Sequence, residues 1–415
     1  MIGTRQRAAL EKHTALLALD GGSPIRRTPI PPWPWFDEEL IGASSRVLVS
    51  GKVNYWTGEE GRKFEEEFAR FVGVRHAIVL ANGTVALEAA LKAVGVKPGD
   101  EVVTTSRTFL ASATSAISVG AIPRFADVDR DSQNVTAGTI EAALTPKTKA
   151  IVAVHLAGWP CDMDPIMELA ERRGIAVIED CAQAHGATYK GRQVGSIGHV
   201  AAWSFCQDKI MTTGGEGGAV TTNDTHAWDL MWSWKDHGKS YDTVFRKQHP
   251  PGFRWLHERF GTNWRLTEMQ SAMGRVLVSR LPEWVAKRRA HAHQLDVALR
   301  EQPAIRVTLP PTHSQHAYYK YYCFVRREAL RDGWSRDRIM SAITAEGIPC
   351  FSGSCSEIYL EKCFVDAGLG LAKRLPVAQE LGETSLMFLV HPTLERPDIE
   401  DTIQAIEKVL ANATR

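Results

Sequence analysis

The sequence predicts an α/β fold, with a mainly parallel central sheet flanked by helices and a smaller α+β domain at the C-terminal end. From residue 76 to about residue 225, short β-branched runs alternate with helical patterns. Strands that are separated by crossover helices form parallel sheets whose two faces are both covered. After about residue 275, long helical stretches replace this alternation. A chain of 415 residues has room for such a large domain and a smaller one.

The central sheet is predicted from short apolar runs, each of which is long enough for one buried strand. These runs occupy residues 76–80, 100–106, 121–129, 149–156, 175–180 and 200–205. Helical spacing between them predicts a helix that begins near Thr84 and two more helices over 108–120 and 164–174.

Beyond the sheet, the apolar and aromatic run 317–328 predicts a strand, and 336–347 and 398–413 predict helices. Pro282 interrupts a long helical pattern, which indicates either a kink or a boundary.

We divide the chain into an N-terminal extension, a large domain that begins with a Pro-, Trp- and Gly-rich wrapping segment, and a small domain. Their limits are 1–20, 21–275 and 276–415.

The composition argues against several classes of partner. The chain carries 49 basic and 48 acidic residues without a basic tract, so neither nucleic acid nor a membrane surface is expected as a partner. The N-terminal residues lack the pattern of a signal peptide, and the seven cysteines are dispersed without a C-x-x-C pair. We therefore expect reduced thiols and a cytoplasmic protein.

No metal site is predicted. The run 127–132 begins like a calcium-binding loop, but Ser132 stands where that loop requires a glycine, so we expect a solvated turn.

The stretch 203–220, WSFCQDKIMTTGGEGGAV, places one lysine before a glycine-rich turn. A phosphate-binding P-loop has its lysine after the glycines, so this order excludes that motif. Lys209 follows a buried strand and is either an exposed surface lysine or an inward amine able to form a Schiff base. Ser204, five positions earlier, either binds a phosphate oxygen or caps the strand end.

Two further places could hold a charged ligand. Gly83 and Thr84 lie between a strand and a helix, where free amide groups favour a phosphate, although Asn82, Gly83 or Thr84 could also cap the helix without any ligand. Asp180 ends a buried strand beside Glu179, at the sheet edge where ligands gather in open parallel sheets. A carboxylate there either anchors a cationic ring nitrogen or serves as a helix cap or a loop ion pair.

Together these segments resemble the DegT/DnrJ/StrS family of pyridoxal-phosphate-dependent, fold type I nucleotide-sugar aminotransferases. The resemblance extends from about residue 20 to near the C-terminus and implies the aspartate aminotransferase-like form of the α/β fold. Seven segments of the sequence match the family, and they occur in the same order as in its members. These segments are 57–73, 82–91, 107–129, 148–166, 177–205, 209–220 and 261–274.

The resemblance also implies roles for individual residues. Lys209 matches the lysine that binds pyridoxal 5'-phosphate and moves protons, and Asp180 matches the aspartate that pairs with the pyridine nitrogen. Phe109 and Gln183 match residues on the two faces of the cofactor ring. Asn263 matches a residue that reaches the phosphate in the neighbouring subunit of a homodimer. The phosphate binders of relatives correspond to Gly83, Thr84 and Ser204.

Three of these positions also have ordinary structural interpretations. Phe109 could belong to the core, Gln183 could be a loop residue that bonds the backbone, and Asn263 could cap the helix that follows it.

The function that the resemblance implies is amino transfer to a nucleotide-linked keto-hexose in polysaccharide or natural-product sugar biosynthesis, with L-glutamate as the expected donor. A lysine at position 209 favours this reaction, since relatives with histidine there dehydrate deoxysugars. Active sites at the interface of a homodimer are expected. The alternatives are an aminocyclitol (scyllo-inosose type) aminotransferase, an enzyme like 3-amino-5-hydroxybenzoate synthase, and a cofactor-bound regulatory protein, which would not require both Lys209 and Asp180.

Overall fold

A seven-stranded sheet forms the centre of the large part of the protein. The computed structural model describes residues 16–249, 251–252 and 254–415, so most of the predicted N-terminal extension lies outside the described residues. The order of strands in the sheet is β1-β9-β8-β5-β4-β2-β3. The strands that make up this sheet are β1 (His76–Leu80), β2 (Glu101–Thr105), β3 (Ile122–Ala126), β4 (Thr148–Val154), β5 (Ala176–Asp180), β8 (Val200–Ser204) and β9 (Gly218–Thr222).

The pairing of the strands confirms the predicted fold class. Strand β5 is parallel to β4 and β8, and β2 is parallel to β3 and β4. Strand β9 alone runs against its neighbours, because it forms a hairpin with β8 and also pairs with β1. The sequence did not predict β9, since its first residue is a glycine and its last two are threonines, which leaves too short an apolar run.

Helices cover both faces of this sheet. The helices before residue 250 are α1 (Glu38–Ser50), α2 (Glu60–Val72), α3 (Gly83–Ala93), α4 (Ala111–Ser118), α5 (Ala137–Ala143), α6 (Met163–Arg173), α7 (Thr225–Lys235) and α8 (Tyr241–Phe245). Strand β1 illustrates the two cores that they create. Ile78 and Leu80 pack against α3, whereas Ala77 and Val79 face α2 and the long helix described next. Successive side chains of a strand point to opposite faces, so both faces of β1 are buried.

A single helix of 32 residues, α9 (Glu268–Leu299), connects the large part of the chain to its C-terminal part. Thr267 begins it with a capping box that also involves Gln270. The helix continues through Pro282, so the interpretation of this proline as a boundary is wrong. Leu281 and Val285 are buried on either side of it, and this packing offsets the hydrogen bond that proline cannot donate. We predicted the limit between the large and the small domain at residues 275 and 276, and both residues lie inside this helix. The domain limits themselves stay a prediction.

The C-terminal part contains a small antiparallel sheet, of order β10-β12-β13, covered by helices. Its strands are β10 (Ile305–Arg306), β12 (Tyr321–Val325) and β13 (Ser385–Phe388), and its helices are α10 (Arg336–Ala345), α11 (Lys362–Asp366), α12 (Pro376–Thr384) and α13 (Arg396–Ala413). A third, minor sheet joins β6 (Thr188–Tyr189), β7 (Arg192–Gln193) and β11 (Ser314–Gln315).

The strand predicted over 317–328 is shorter in the structure. The amides of Ala317 and Tyr319 donate instead to the carbonyls of Gly158 and Ala157 in the large part, so this stretch links the two parts before β12 begins.

In the part of the chain that the structure describes, no helix is both long and apolar enough to cross a membrane.

We predict that Gly274→Ala destabilises the protein although alanine favours helices. A Cβ at Gly274, in α9, would stand 2.5 Å from the ring of Phe64 in α2, and overpacking of this kind costs about 1–3 kcal/mol. Gly42→Ala in α1 is the matched control, because its Cβ would meet only the flexible end of Arg46 at 3.4 Å. The control should gain up to about 1 kcal/mol from helix propensity. Urea unfolding measures both, and equal effects would contradict the prediction.

Candidate active site

A cavity of about 830 Å³ opens where three parallel strands end. Val154, Asp180 and Ser204 are the last residues of β4, β5 and β8, and all three line it. The start of α3 closes one side, and residues from the C-terminal part close another, among them Tyr319, Lys320, Tyr322, Phe351, Gly353, Ser354 and Met387. The carboxyl ends of parallel strands are the usual place for ligands in such sheets.

Lys209 points into this cavity from the loop between β8 and β9. Its side chain is 15% exposed, so it is not the exposed surface lysine that the sequence left open. Its Nζ lies 3.9 Å from Oδ1 of Asp208 and 4.9 Å from the ring centroid of Tyr319. The indole Nε1 of Trp33 donates to the carbonyl oxygen of Lys209 at 2.9 Å, so the N-terminal segment fixes the backbone of this loop.

Asp180 places a nearly buried carboxylate at the floor of the cavity. Its Oδ2 accepts from Oγ of Ser112 at 2.7 Å, and its Oδ1 accepts from the amide of Ala182 at 3.1 Å. Burial raises the pKa of the Asp180 carboxyl, while these hydrogen bonds and the charge of Lys209 partly offset that rise. Each oxygen keeps capacity to accept another hydrogen bond, and no cation of the described residues forms an ion pair with it. The carboxylate is therefore suited to a cationic group in the cavity.

Sequence reasoning missed the role of Ser112. This residue lies in α4, and its hydroxyl also bonds that of Thr108 at 2.9 Å. Both residues line the cavity. The available signal was a pair of hydroxyl residues shortly after a strand end, because ligands gather at that edge of an open parallel sheet.

The start of α3 forms a cradle for an anion. Of the three residues that could cap this helix, Asn82 does so, because its Oδ1 accepts from the amide of Val85 at 3.0 Å. The amides of Gly83 and Thr84 are left at the cavity, where a helix N-terminus favours negative charge. A Cβ at Gly83 would stand 2.7 Å from Cβ of Ser204, so only glycine permits this approach.

Ser204 caps the end of β8, and it also lies at the cavity, so its binding of a phosphate oxygen stays a prediction. Its hydroxyl lines the cavity beside Gly83, and it also accepts a hydrogen bond from the amide of Cys206 at 3.3 Å, beyond the end of β8.

The remaining predicted residues occupy different places. Phe109 is 69% exposed at the cavity, which excludes an ordinary core position. Gln183 is buried, lines the cavity and accepts from the amide of Ala157 at 2.8 Å. Asn263 is exposed and does not line the cavity of its own chain. It does not cap α9 either, because Thr267 fills that position.

Glu179, the neighbour of Asp180, anchors the end of β5 from the other face of the sheet. Its buried carboxylate accepts from Nε2 of His155 at 3.0 Å and from the amides of Gly195, Ile197 and Gly198 at 2.7–2.9 Å. The amide of Cys161 donates to Nδ1 of His155, which leaves the ring proton on Nε2.

This network has two consequences. The backbone amide of His155 donates to the carbonyl of Asp180 at 3.1 Å, so the same group of residues also holds the backbone at the cavity floor. Burial by itself raises the pKa of Glu179, but the hydrogen bonds from His155, Gly195 and Gly198 outweigh burial and hold that pKa below its ordinary value.

Comparison with known proteins identifies relatives across nearly the whole chain. The model of the DegT/DnrJ/EryC1/StrS aminotransferase family matches residues 35–407. GDP-perosamine synthase from Caulobacter vibrioides is 37% identical over 86% of this chain and 92% of its own length. L-glutamine:2-deoxy-scyllo-inosose aminotransferase from Streptomyces kanamyceticus is 37% identical over 81% and 80%. The solved structure of an aminotransferase from Psychrobacter cryohalolentis is 57% identical, with a TM-score of 0.91 over 92% of this chain and 99% of that one.

We predict that Glu179→Gln lowers the free energy of unfolding by about 3–5 kcal/mol at neutral pH, because an amide NH₂ would face donors that need an acceptor. The exposed Glu171→Gln, in α6, is the matched control and should leave stability unchanged. A lowered pKa in the folded protein means that the stabilisation is present above the ordinary pKa of glutamate, about 4.5, and is lost as the pH falls through the folded value. Unfolding measured across pH should therefore show the difference between wild type and Glu179→Gln shrinking in acid. A difference as small as that of the control would contradict the anchoring role.

Proposed function

The chain belongs to the DegT/DnrJ/EryC1/StrS aminotransferase family, and we propose that it uses pyridoxal 5'-phosphate to transfer an amino group from L-glutamate to a nucleotide-linked keto-hexose. The observation that carries this proposal is the grouping of Lys209, Asp180 and the start of α3 around one cavity. A lysine amine, a buried carboxylate and a helix N-terminus are the three groups that an aldehyde, a pyridine nitrogen and a phosphate require.

The residues present fit this cofactor. The cradle at Gly83, Thr84 and Ser204 offers donors for a phosphate, with the positive end of the α3 dipole behind them. Asp180 offers an anion to a protonated ring nitrogen, and such a cation would lower the pKa that burial raises. A cavity of about 830 Å³ has room for the cofactor together with a substrate.

The chain's own groups divide the chemistry between them. Pyridoxal phosphate, when bound, supplies an electron sink that stabilises negative charge at the amine-bearing carbon of the substrate. Asp180 keeps the ring nitrogen protonated, which that role requires. Lys209 would hold the aldehyde end of the cofactor, and its amine would move protons at the reacting carbons. Phe109 and Gln183 line the same cavity and would contact the two faces of the ring.

The acceptor is proposed from the relatives. GDP-perosamine synthase is named for a nucleotide-linked amino sugar, and the Streptomyces kanamyceticus relative is named for an inosose. We propose the nucleotide-linked keto-hexose as the acceptor of this chain. An aminocyclitol is the second candidate, because this chain is 37% identical to the inosose aminotransferase.

Incubation of the purified holoenzyme with L-glutamate and a panel of nucleotide-linked keto-hexoses and inososes tests this proposal. We expect mass spectrometry to show one class of acceptor in which the carbonyl is replaced by an amine. Lys209→Ala should abolish both this product and the visible absorbance of lysine-bound cofactor, while Lys97→Ala, an exposed lysine outside the cavity, should retain both. A wild-type protein that takes up no cofactor would overturn the proposal.

We further propose that the active unit is a homodimer in which Asn263 serves the site of the neighbouring subunit. Asn263 is exposed and separate from the cavity of its own chain. Nearby in sequence, Trp255 and Phe260 are 80% and 94% exposed. Large exposed apolar side chains are often found at contacts between proteins.

Mixing two inactive variants tests this shared site. If Asn263 acts in the neighbouring subunit, a dimer of one Lys209→Ala chain and one Asn263→Ala chain contains one site with both residues intact. Unfolding and refolding the two variants together should then restore activity that neither variant shows alone. Refolding each variant separately and then combining them is the control. No gain after joint refolding would mean that Asn263 serves its own chain or no site.

A further inference from the structure

The cavity contains two lysines, and one of them has no role in the chemistry above. Among the described residues that line the cavity, Lys209 and Lys320 are the cationic ones, and arginine is absent. Lys209 is committed to the cofactor and to proton transfer. Lys320 is therefore the cation in this lining that is free to bind a substrate anion.

Lys320 and Lys209 both contact the ring of Tyr319 in this cavity. Its Nζ is 4.8 Å from the ring centroid of Tyr319, and Nζ of Lys209 is 4.9 Å from the centroid of the same ring. The hydroxyl of Tyr319 donates to Asp208, the neighbour of Lys209, so this ring is held between the loop of Lys209 and the segment of Lys320.

The charge of Lys320 is not neutralised within the described chain. Lys209 has Asp208 as a partner at 3.9 Å, whereas Lys320 forms no ion pair with a carboxylate of the described residues. Burial lowers the pKa of Lys320 to about 8, Asp208 opposes that change, and Arg288 and Lys209 add to it. A partly desolvated ammonium without a carboxylate partner gains more from a ligand anion than a hydrated one does.

A buried arginine fixes the backbone that carries Lys320. Arg288 of α9 is almost fully buried, and its Nη1 donates to the carbonyl oxygens of Tyr318 and Tyr319 at 3.3 and 3.2 Å. Its guanidinium also lies 5.2 Å from the ring centroid of Trp33, the residue that bonds the Lys209 carbonyl. The backbones of both lysines are thus fixed from the same side, which keeps their spacing defined.

We propose that Lys320 binds the α-carboxylate of the amino-acid donor, an inference that rests on the proposed function. Every α-amino-acid donor carries this carboxylate on the carbon that loses its amine, so the anion must lie next to Lys209 during the reaction. A keto-sugar carries no anion at its reacting carbon, because its phosphates are attached across the sugar ring. Lys320 therefore acts in the donor half of the reaction and sets its specificity for α-amino acids.

Holoenzyme kinetics of the two half-reactions test this assignment. Lys320→Met should lower kcat/KM of the donor half-reaction about 10- to 100-fold with both L-glutamate and L-glutamine, mainly through KM, because a charge-assisted bond to the bound substrate is lost. Lys320→Arg should keep most of the wild-type value. The acceptor half-reaction should change less than about twofold. Lys149→Met, an exposed strand lysine outside the cavity, is the matched control.

A donor without the α-carboxylate makes the test specific. 4-Aminobutyrate keeps the distal carboxylate of glutamate and lacks the α-carboxylate, so Lys320→Met should not slow it further. Unchanged cofactor absorbance and melting temperature establish that the variant is folded, and Lys320→Gln replaces it if the methionine variant is not. An unaffected donor half-reaction, an equal loss in both halves, or a loss with L-glutamate but not with L-glutamine overturns the assignment.

The outcome for the wild type separates this inference from the proposed function. A wild-type holoenzyme that accepts an amine from neither amino acid overturns the proposed function and this inference together. Normal wild-type turnover beside an unaffected Lys320→Met overturns only the inference.

Discussion

The position of the cavity floor depends on one buried carboxylate that faces away from the cavity. Glu179 accepts hydrogen bonds from His155 and from three backbone amides of the turn that precedes β8, and so joins β4, β5 and that turn. Adjacent residues of a strand point to opposite faces, so Asp180 points into the cavity because Glu179 is fixed on the other face. A buried carboxylate with all of its partners in place is rigid, and removal of those partners would be costly.

A second constraint is the close approach of three chain segments at the start of α3. Strand β9 lies between β1 and β8, and a Cβ at its first residue, Gly218, would stand 2.4 Å from the carbonyl oxygen of Asn82. Gly83 makes a similar approach to Ser204. These two glycines allow the helix start to reach the strand ends, where its amides and the hydroxyl of Ser204 can share one anion. Larger residues would separate the donors.

The two parts of the chain contribute differently to the cavity. The large part supplies the lysine, the carboxylate and the helix start, all of them at strand ends. The C-terminal part supplies the wall with Tyr319 and Lys320, and helix α9 runs continuously between the parts with Arg288 bonded to the backbone of that wall. The residues that we propose for the chemistry and Lys320, which we propose for donor binding, are therefore held by different elements, joined by one continuous helix.

The sequence by itself determined the α/β class and most strands of the central sheet, because apolar periodicity is a short-range property, whereas the roles expected of the site residues came from the resemblance to a family. It correctly offered Asn82 as a helix cap and Lys209 as an inward amine, but it could not choose between these and their alternatives. Only the tertiary structure decided that β9 inserts against the direction of its neighbours, that α9 continues through Pro282, and that Ser112 and Glu179 hold the end of β5. It also brought Lys320 and Lys209 to the ring of Tyr319 in one cavity, although the two lysines are 111 positions apart in the sequence. These features depend on which distant segments pack together, and that information is spread over the whole chain.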